Sequence, residues 1–331
     1  MIRLALQQLL GTRLVLLKPL LPLAALRKLA VTRGGTLALA ALLDWALAEP
    51  PSAVHPVVWM GRLLAAAEPA LLRGPSSRQL VVGALVAAGG AGGWFVVGRA
   101  LDQFLVRSAL FLPLRAWLLK CCFAWRALDE AAARVEGLLR EGRLAAAQTA
   151  VQSLVSRETA ALDAEQVAAA AIESVAENLG DSLVGPVLAY AVGGLGGAFA
   201  YRWVNTADAM VGYRGRFEWG GKAAARLDDL ANFVPARLAA ALLLLCGGDR
   251  RSGLDALRRD RGQTASPNAG WPMATMAGLL GRSLEKPGAY RLNASAPAPG
   301  PSDILAARRI VARAWLLLAA VGSTLLLLRR R

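Results

Sequence analysis

The chain has 331 residues, 56% of them hydrophobic and only 18% charged, whereas a soluble domain carries about a quarter charged residues. That excludes an ordinary soluble globule and indicates a mostly helical integral membrane protein. The net charge is +15, but the arginines flank apolar runs (Arg202, Arg237, Arg250, Arg251, Arg313 and the terminal Arg329, Arg330 and Arg331), a pattern that fits lipid headgroups and excludes nucleic acid as the partner.

Residues 1–35 hold Arg3, Arg13, Lys18, Arg27, Lys28 and Arg33 and no acid. Arg13 and Lys18 interrupt what would be a signal-peptide core, so a basic extension on the membrane surface is expected. A first membrane segment at 36–48 leads into a loop where Pro50, Pro51 and Pro56 rule out a regular helix. Residues 79–98 are uncharged, and their glycine pairs permit close helix packing. The apolar stretch 104–125 is broken by Arg107, Arg115 and Lys120. It either lies in the interface or packs inside the bundle. Cys121, Cys122 and Cys246 lack metal-ligand spacing and read as buried apolar side chains.

Residues 129–181 look like a soluble, acidic, cytoplasmic segment. Asp163 with Gln166 three residues on reads as a capping box, opening an Ala-rich helix that stops near Gly180. The uncharged stretch 182–201 is rich in glycine (Gly185, Gly193, Gly194, Gly196, Gly197), and the apolar run 238–248 is short. A single crossing by 182–201 would put the acidic block and residues 205–237 on opposite sides. Broken or re-entrant helices lining a cavity are therefore expected within 182–248. Residues 249–312 read as a cytoplasmic loop ending in a Pro-rich linker at 294–302. The Leu-rich run 314–328 is the last span, with an Arg tail assigned to the cytoplasm. No internal repeat is found.

Four constellations can carry chemistry. Glu173 and Glu177 share a helix face, and Asp181 follows; three carboxylates together want a cation, either Mg²⁺ or arginines, unless they form a solvated acidic face. Asn205 and Asp208 are one turn apart, as are Arg226 and Asp229, and Asp228 and Asn232. They serve either a metal, an amine and phosphates, or one another as internal ion pairs. His55, the lone histidine, follows Asp44 and Glu49 and is either structural or a proton carrier. Ser266 and Asn268 sit in a turn whose N–H groups can face an anion or simply enter a helix.

The motifs carrying these residues resemble the CobD/CbiB family of cobalamin biosynthesis, in the family's order over about 36–292. They are HPV at His55, Arg157-Glu158-Thr159, Glu-x-x-x-Glu-Asn-x-x-Asp from Glu173 to Asp181, NT-x-D-x-M-x-GY from Asn205, ARLDDL-x-N-x-x-PAR ending at Arg237, and SPN-x-G from Ser266. Two turns depart from the pattern: Ala48-Glu49-Pro50 stands for Gly-Asp-Pro, and Leu284-Glu285-Lys286 for Leu-Gly-Gly. The resemblance implies an all-α, polytopic integral membrane protein of the bacterial inner (plasma) membrane with a cytoplasm-facing site. It implies an ATP-dependent amide-forming ligase, with Mg²⁺, joining the corrinoid adenosylcobyric acid to (R)-1-aminopropan-2-ol phosphate, an amino-alcohol phosphate. On that basis Asp208, Asp228, Asp229, Asn205 and His55 are expected to be catalytic. Arg157, Arg226, Arg237, Ser266, Asn268 and Asn232 would bind substrate or phosphate, and Glu173, Glu177 and Asp181 the metal. No Walker A sequence is present, so ATP would not use a standard P-loop. Membrane lipid and other late cobalamin-pathway enzymes are the implied partners. A transporter or sensor of related fold is the alternative; its charges would lie near the bilayer midplane.

Overall fold

A computed structural model describes residues 32–47 and 49–329. The basic extension up to residue 31, Ala48, Arg330 and Arg331 lie outside the described residues. The chain is all-α, with one small β-hairpin. Helix α1 (Arg33–Ala46) is about 21 Å long, short of the bilayer's roughly 30 Å core. The first membrane segment expected at 36–48 therefore does not cross alone; it packs on later helices. Helix α2 (Pro56–Leu72) leads to α3 (Ser76–Leu105), which is long and apolar enough to cross. Helix α4 (Leu112–Lys120) carries Arg115 and Lys120 inward, where Arg115 meets Asp102 at 2.6 Å and Lys120 meets Glu49 at 2.8 Å. This part of the interrupted stretch 104–125 packs inside the bundle, its charges paired.

Helices α5 (Trp125–Arg140) and α6 (Leu144–Val151) precede α7 (Ala164–Asn178). The predicted capping box opens α7: Gln166 N donates to Asp163 Oδ1 at 2.8 Å, and Asp163 N to Gln166 Oε1 at 3.0 Å. Its middle is not a soluble face, however, since every residue from 167 to 176 is buried. Small alanines let α5, α12, α13 and the hairpin (ranges below) close in around it. Nor does α7 stop near Gly180, where the backbone of Ala236 comes close. A π-turn (Leu179–Val184) carries it straight into α8 (Gly185–Val211).

Inside α8 the chain turns back. Gly194 takes φ 64° and ψ −151°, a region essentially open to glycine alone. Gly185 then lies against the Tyr201 ring and Gly197 against the Ala189 carbonyl, with no room for a methyl at either glycine. A straight helix would hold Gly185 and Tyr201 more than 20 Å apart. Residues 182–201 therefore form a broken helical hairpin, and the acidic block and residues 205–237 emerge at the same end.

Helices α9 (Lys222–Ala231) and α10 (Phe233–Cys246) follow, bent by 46° at Asn232. Then come α11 (Arg250–Asp260), α12 (Gly270–Leu280), strands β1 (Leu284–Lys286) and β2 (Tyr290–Leu292), and α13 (Pro301–Leu328). Arg308 of α13 ties α5 down, meeting Asp129 at 2.8 and 3.0 Å and Glu136 at 2.8 Å. Beyond Arg313 the helix is uncharged to its end. Val187 lies beside Gly322, and Arg329 reaches the Ala191 carbonyl at 3.3 Å. The first hairpin arm thus runs parallel to α13, and its Asp181 end falls near Arg313, where the apolar stretch begins. The carboxylates and Arg329 lie at opposite ends of the apolar helices. A site and an Arg tail both on the cytoplasmic side do not fit this geometry.

Two outcomes test this topology. In full-length protein lacking Cys246, cysteines at Glu158 and Arg214 should react with an impermeant maleimide from one side of sealed vesicles, and one at Arg329 from the other. Labelling of Glu158 and Arg214 from opposite sides would restore a single crossing. Gly194→Ala should cost roughly 1–3 kcal/mol, read as a lower thermal midpoint in detergent; an unchanged midpoint would remove the reversal.

Candidate active site

The hairpin and the α9–α10 bend build one cavity of about 470 Å³. Asp181 enters from the π-turn, a local insertion often found at functional sites. Two hydrogen bonds brace that turn, Ser182 Oγ to Asn178 Oδ1 at 2.8 Å and Asn178 Nδ2 to the Ser174 carbonyl at 2.9 Å. Asp208 enters from the returning arm, Glu177 from α7, and Asp228 and Asp229 from α9. Asp208, Asp228 and Glu177 are all electrostatic neighbours of Asp181.

Asp228 is held on both sides. Asn232 Nδ2 donates to its Oδ2 at 3.0 Å and Asn205 Nδ2 to its Oδ1 at 3.5 Å. Asn232, buried at the helix bend, also accepts the Tyr201 hydroxyl. Arg202 fixes Asn205 from behind at 3.0 Å. Glu177, Asp181 and Asp208 differ: none of their carboxylates has a hydrogen bond or ion pair among the described residues, although each residue is half-buried. Carboxylates partly withdrawn from water and left unpaired call for a bound cation or ammonium group. Arg214, Lys222 and Arg226 stand around the same cavity, and Arg226 is only loosely engaged with Asp229, at 3.5 Å.

Several expected residues take other places. Glu173 does not join Glu177 and Asp181 as a ligand set. It faces a neighbouring cavity, where Arg157 pairs with it at 3.1 Å. Among the described residues, no group of three Asp, Glu, His or Cys side chains is arranged to hold a metal by itself. Two of the carboxylates, Glu177 and Asp181, still fit Mg²⁺, which takes oxygen ligands and keeps waters beside one or two carboxylates and a phosphate. Arg157 accordingly lies outside the carboxylate cavity. Arg237 is stacked on Phe233 and Trp271, at 3.6 and 4.5 Å to the ring centres, and donates to Asn268 at 3.0 Å. It locks the cavity wall and does not line the cavity. Ser266 and Asn268 do line the carboxylate cavity, but Ser266 Oγ already accepts from the N–H groups of Asn268 and Ala269, at 3.2 and 3.4 Å, so those groups do not face an anion. Asn268 is buried and donates to the Asp229 carbonyl at 2.7 Å.

His55 is absent from the cavity. It caps α2, its Nδ1 accepting from Val57 N at 3.2 Å and its Nε2 lying 3.1 Å from Glu49. Burial pushes the Glu49 carboxyl up, but hydrogen bonds from His55 and Lys120 outweigh it and hold the group below its usual range. Glu49, one methylene longer than aspartate, thus bridges His55 and the buried Lys120. Tyr201, Arg214 and Lys222 were not singled out from sequence. Tyr201 ends an apolar run, and only the packing of α8 against the α9–α10 bend gives its hydroxyl a partner, Asn232.

Fold and site together define a multi-pass helical membrane protein with a carboxylate-lined cavity at one end of its apolar helices. The family model described as CobD/CbiB protein matches residues 37–316, and the chain belongs to that family. It is 42% identical over 260 residues to cobalamin biosynthesis protein CobD of Dehalococcoides mccartyi, covering 77% of this chain and 84% of the relative. It is 38% identical over 265 residues to the protein so named in Photorhabdus laumondii, covering 75% and 81%. A probable CobD of Methanocaldococcus jannaschii is 35% identical over 265 residues, covering 77% and 86%. No solved structure matches the chain. Its role is in cobalamin biosynthesis, as a biosynthetic enzyme.

The Asn232 link is testable apart from activity. Asn232→Leu strands both Asp228 and the Tyr201 hydroxyl, and should cost about 1–3 kcal/mol in reversible unfolding. A variant as stable as the parent would mean the link is not structural.

Proposed function

We propose that the chain catalyses ATP-dependent amide formation between adenosylcobyric acid and (R)-1-aminopropan-2-ol phosphate, giving adenosylcobinamide phosphate. The observation that carries this reading is the unpaired trio Glu177, Asp181 and Asp208, brought together by the reversal at Gly194 and flanked by Arg214, Lys222 and Arg226. A carboxylate does not condense with an amine until one of its oxygens can leave. In the first step a carboxylate oxygen of the corrinoid attacks the γ-phosphorus of ATP; ADP departs and an acyl phosphate forms. In the second the ammonium first gives one proton to a carboxylate, the free amine attacks the carbonyl carbon, the C–O bond to phosphate breaks, and the second proton of the nitrogen leaves with the phosphate. In this reading Asp208 takes the first proton from the ammonium. Asp228, fixed by Asn205 and Asn232, orients the ammonium beforehand. Arg226, Lys222 and Arg214 supply positive charge for the triphosphate.

Mg²⁺ held by Glu177 and Asp181 together with the phosphates would neutralise phosphate charge. Only the carboxyl-bearing arm of so large a macrocycle enters a cavity of about 470 Å³, leaving the ring outside. ATP places the site on the cytoplasmic side of the inner membrane, and Arg329 then lies on the far side. The carboxylates' position near Arg313, at the edge of the apolar stretch, disfavours a transporter, whose charges belong at the midplane.

Purified full-length protein in lipid nanodiscs should consume adenosylcobyric acid only when ATP, Mg²⁺ and an amino-alcohol phosphate are all supplied. Asp208→Asn should lower kcat by roughly 10²–10⁴-fold with corrinoid binding retained. No product with either aminopropanol phosphate or ethanolamine phosphate would sink the reading.

A further inference from the structure

A second cavity, of about 150 Å³, lies on the other side of Glu177, and nothing in the reaction above uses it. Arg157, Glu173, Lys286 and Tyr290 supply its polar groups, and Leu154 and Met273 part of its apolar wall. The hairpin explains how a lysine comes to be there. In the antiparallel register Lys286 pairs with Tyr290 and Leu284 with Leu292. Side chains alternate along a strand, so Lys286 shares the face of Leu284, which is fully buried. That face packs on α7, which bears Glu173 and Glu177. An inward lysine beside a buried glutamate is either an internal ion pair or part of a binding site.

The polar atoms favour a binding site. Glu173 is 4% exposed. Its Oε2 takes Arg157 NH2 at 3.1 Å, but its Oε1 is buried without a hydrogen-bond partner, and so is Arg157 Nε. Lys286 makes no hydrogen bond or ion pair among the described residues; it lies near Glu173 and Glu177 without closing on either. The Tyr290 hydroxyl lies against Glu173 and makes a weak contact to Met273 Sδ at 4.0 Å; burial first, then the charge of Glu173, pushes the phenol far above its ordinary range, so it keeps its proton and can turn it to a stronger acceptor. A guanidinium with a free N–H, an ammonium and a phenol are anion-binding groups. Glu173 and Glu177 bring the local charge back towards zero, which suits a ligand carrying both signs. The volume holds only a few heavy atoms beyond one phosphate group.

We propose that this cavity is a phosphate-monoester subsite, in which Arg157, Lys286 and Tyr290 hold the phosphate of the amino-alcohol substrate. The proposal rests on the amide-forming reading above. With its phosphate anchored there, the short carbon chain lies along Leu154 and Met273. The amine then emerges at Glu177, the one residue lining both cavities. The spacing of the two cavities gauges the amine: a longer tether carries the nitrogen past the carboxylates, and an unphosphorylated amino alcohol has no anchor. Glu173 is a positioning residue, orienting the guanidinium.

Direct binding to the full chain in nanodiscs tests this without turnover. (R)-1-Aminopropan-2-ol phosphate, its dephosphorylated form, inorganic phosphate and ATP are titrated separately. Lys286→Met should weaken the amino-alcohol phosphate about tenfold, the loss of one charge-assisted contact. Its effect on ATP and on the dephosphorylated amine should stay within about twofold, with an unchanged thermal midpoint. Lys286→Arg should restore most of the affinity, and it decides the matter if the methionine variant does not fold. Inorganic phosphate should compete with the phosphorylated amine. Equal affinity of Lys286→Met and the parent for that amine overturns the proposal. A loss confined to ATP overturns it too, since the phosphate held would then be the nucleotide's. Lysine-dependent binding without any ligase activity would keep the subsite and remove the reaction. Turnover with an unaltered KM for the amine in Lys286→Met would do the reverse.

Discussion

The reversal of the chain at Gly194 is the constraint on which the rest depends. Neither arm of the hairpin is remarkable by composition, and a 20-residue uncharged run would ordinarily cross a bilayer once. A positive φ at Gly194 and close approaches at Gly185 and Gly197 let the two arms lie against each other. Asp181 and Asp208 then face one another, where a single crossing would hold them on opposite sides of the membrane. The tip is itself capped by charge: Arg33 donates to the Ala191 and Val192 carbonyls at 3.0 and 3.2 Å, and Arg329 joins at Ala191. Cations at the exposed carbonyls of a helix end are the favourable sense of the helix dipole.

How this chain treats its other interior charges gives the cavity its meaning. Arg308 is satisfied by Asp129 and Glu136, Arg115 by Asp102, and Lys120 by Glu49. Each pair offsets a desolvation cost that an isolated charge would bear in full. Glu177, Asp181 and Asp208 break that habit beside three cations that stand off around the same cavity. A fold that pairs Arg308, Arg115 and Lys120 and leaves these carboxylates unpaired leaves room there for a cation to bind.

Much of this was legible in the sequence, and the failures are instructive. The spans showed in uncharged runs, the α7 cap in Asp163 and Gln166, and the hairpin in a topological conflict between two polar blocks. The burial of α7 did not show, because alanine reads the same on a wetted face and in a crowded core; only the helices around it decide. Spacing also misassigned Glu173. At i and i+4 it shares a face with Glu177, and both line the second cavity, but Arg157 takes Glu173 there while Glu177 alone also reaches the carboxylate cavity. Ser266 and Arg237 carried the right residue types for anions, yet local partners use them first. His55 is likewise spent as a helix cap. Residue type fixes what a side chain is able to bind; competition from its neighbours fixes what it does bind.

Glu177 brings these strands together. It stands at the end of α7, just before the π-turn that carries Asp181, and is the only charged residue lining both cavities. An ordinary α-helical continuation would keep Glu173, Glu177 and Asp181 in one rotating stripe. The extra residue in the turn at Leu179–Val184 breaks that register and swings Asp181 towards the returning arm. Glu173 is left behind with Arg157. One stripe of carboxylates on a single helix is thereby split into two chemical environments, one acidic and open to a cation, the other balanced by arginine and lysine. The amide-forming reaction proposed above, which would hold an amine against a phosphorylated acyl group with their phosphates further away, would use such a partition. Here it follows from a single inserted residue in a helix that is otherwise continuous.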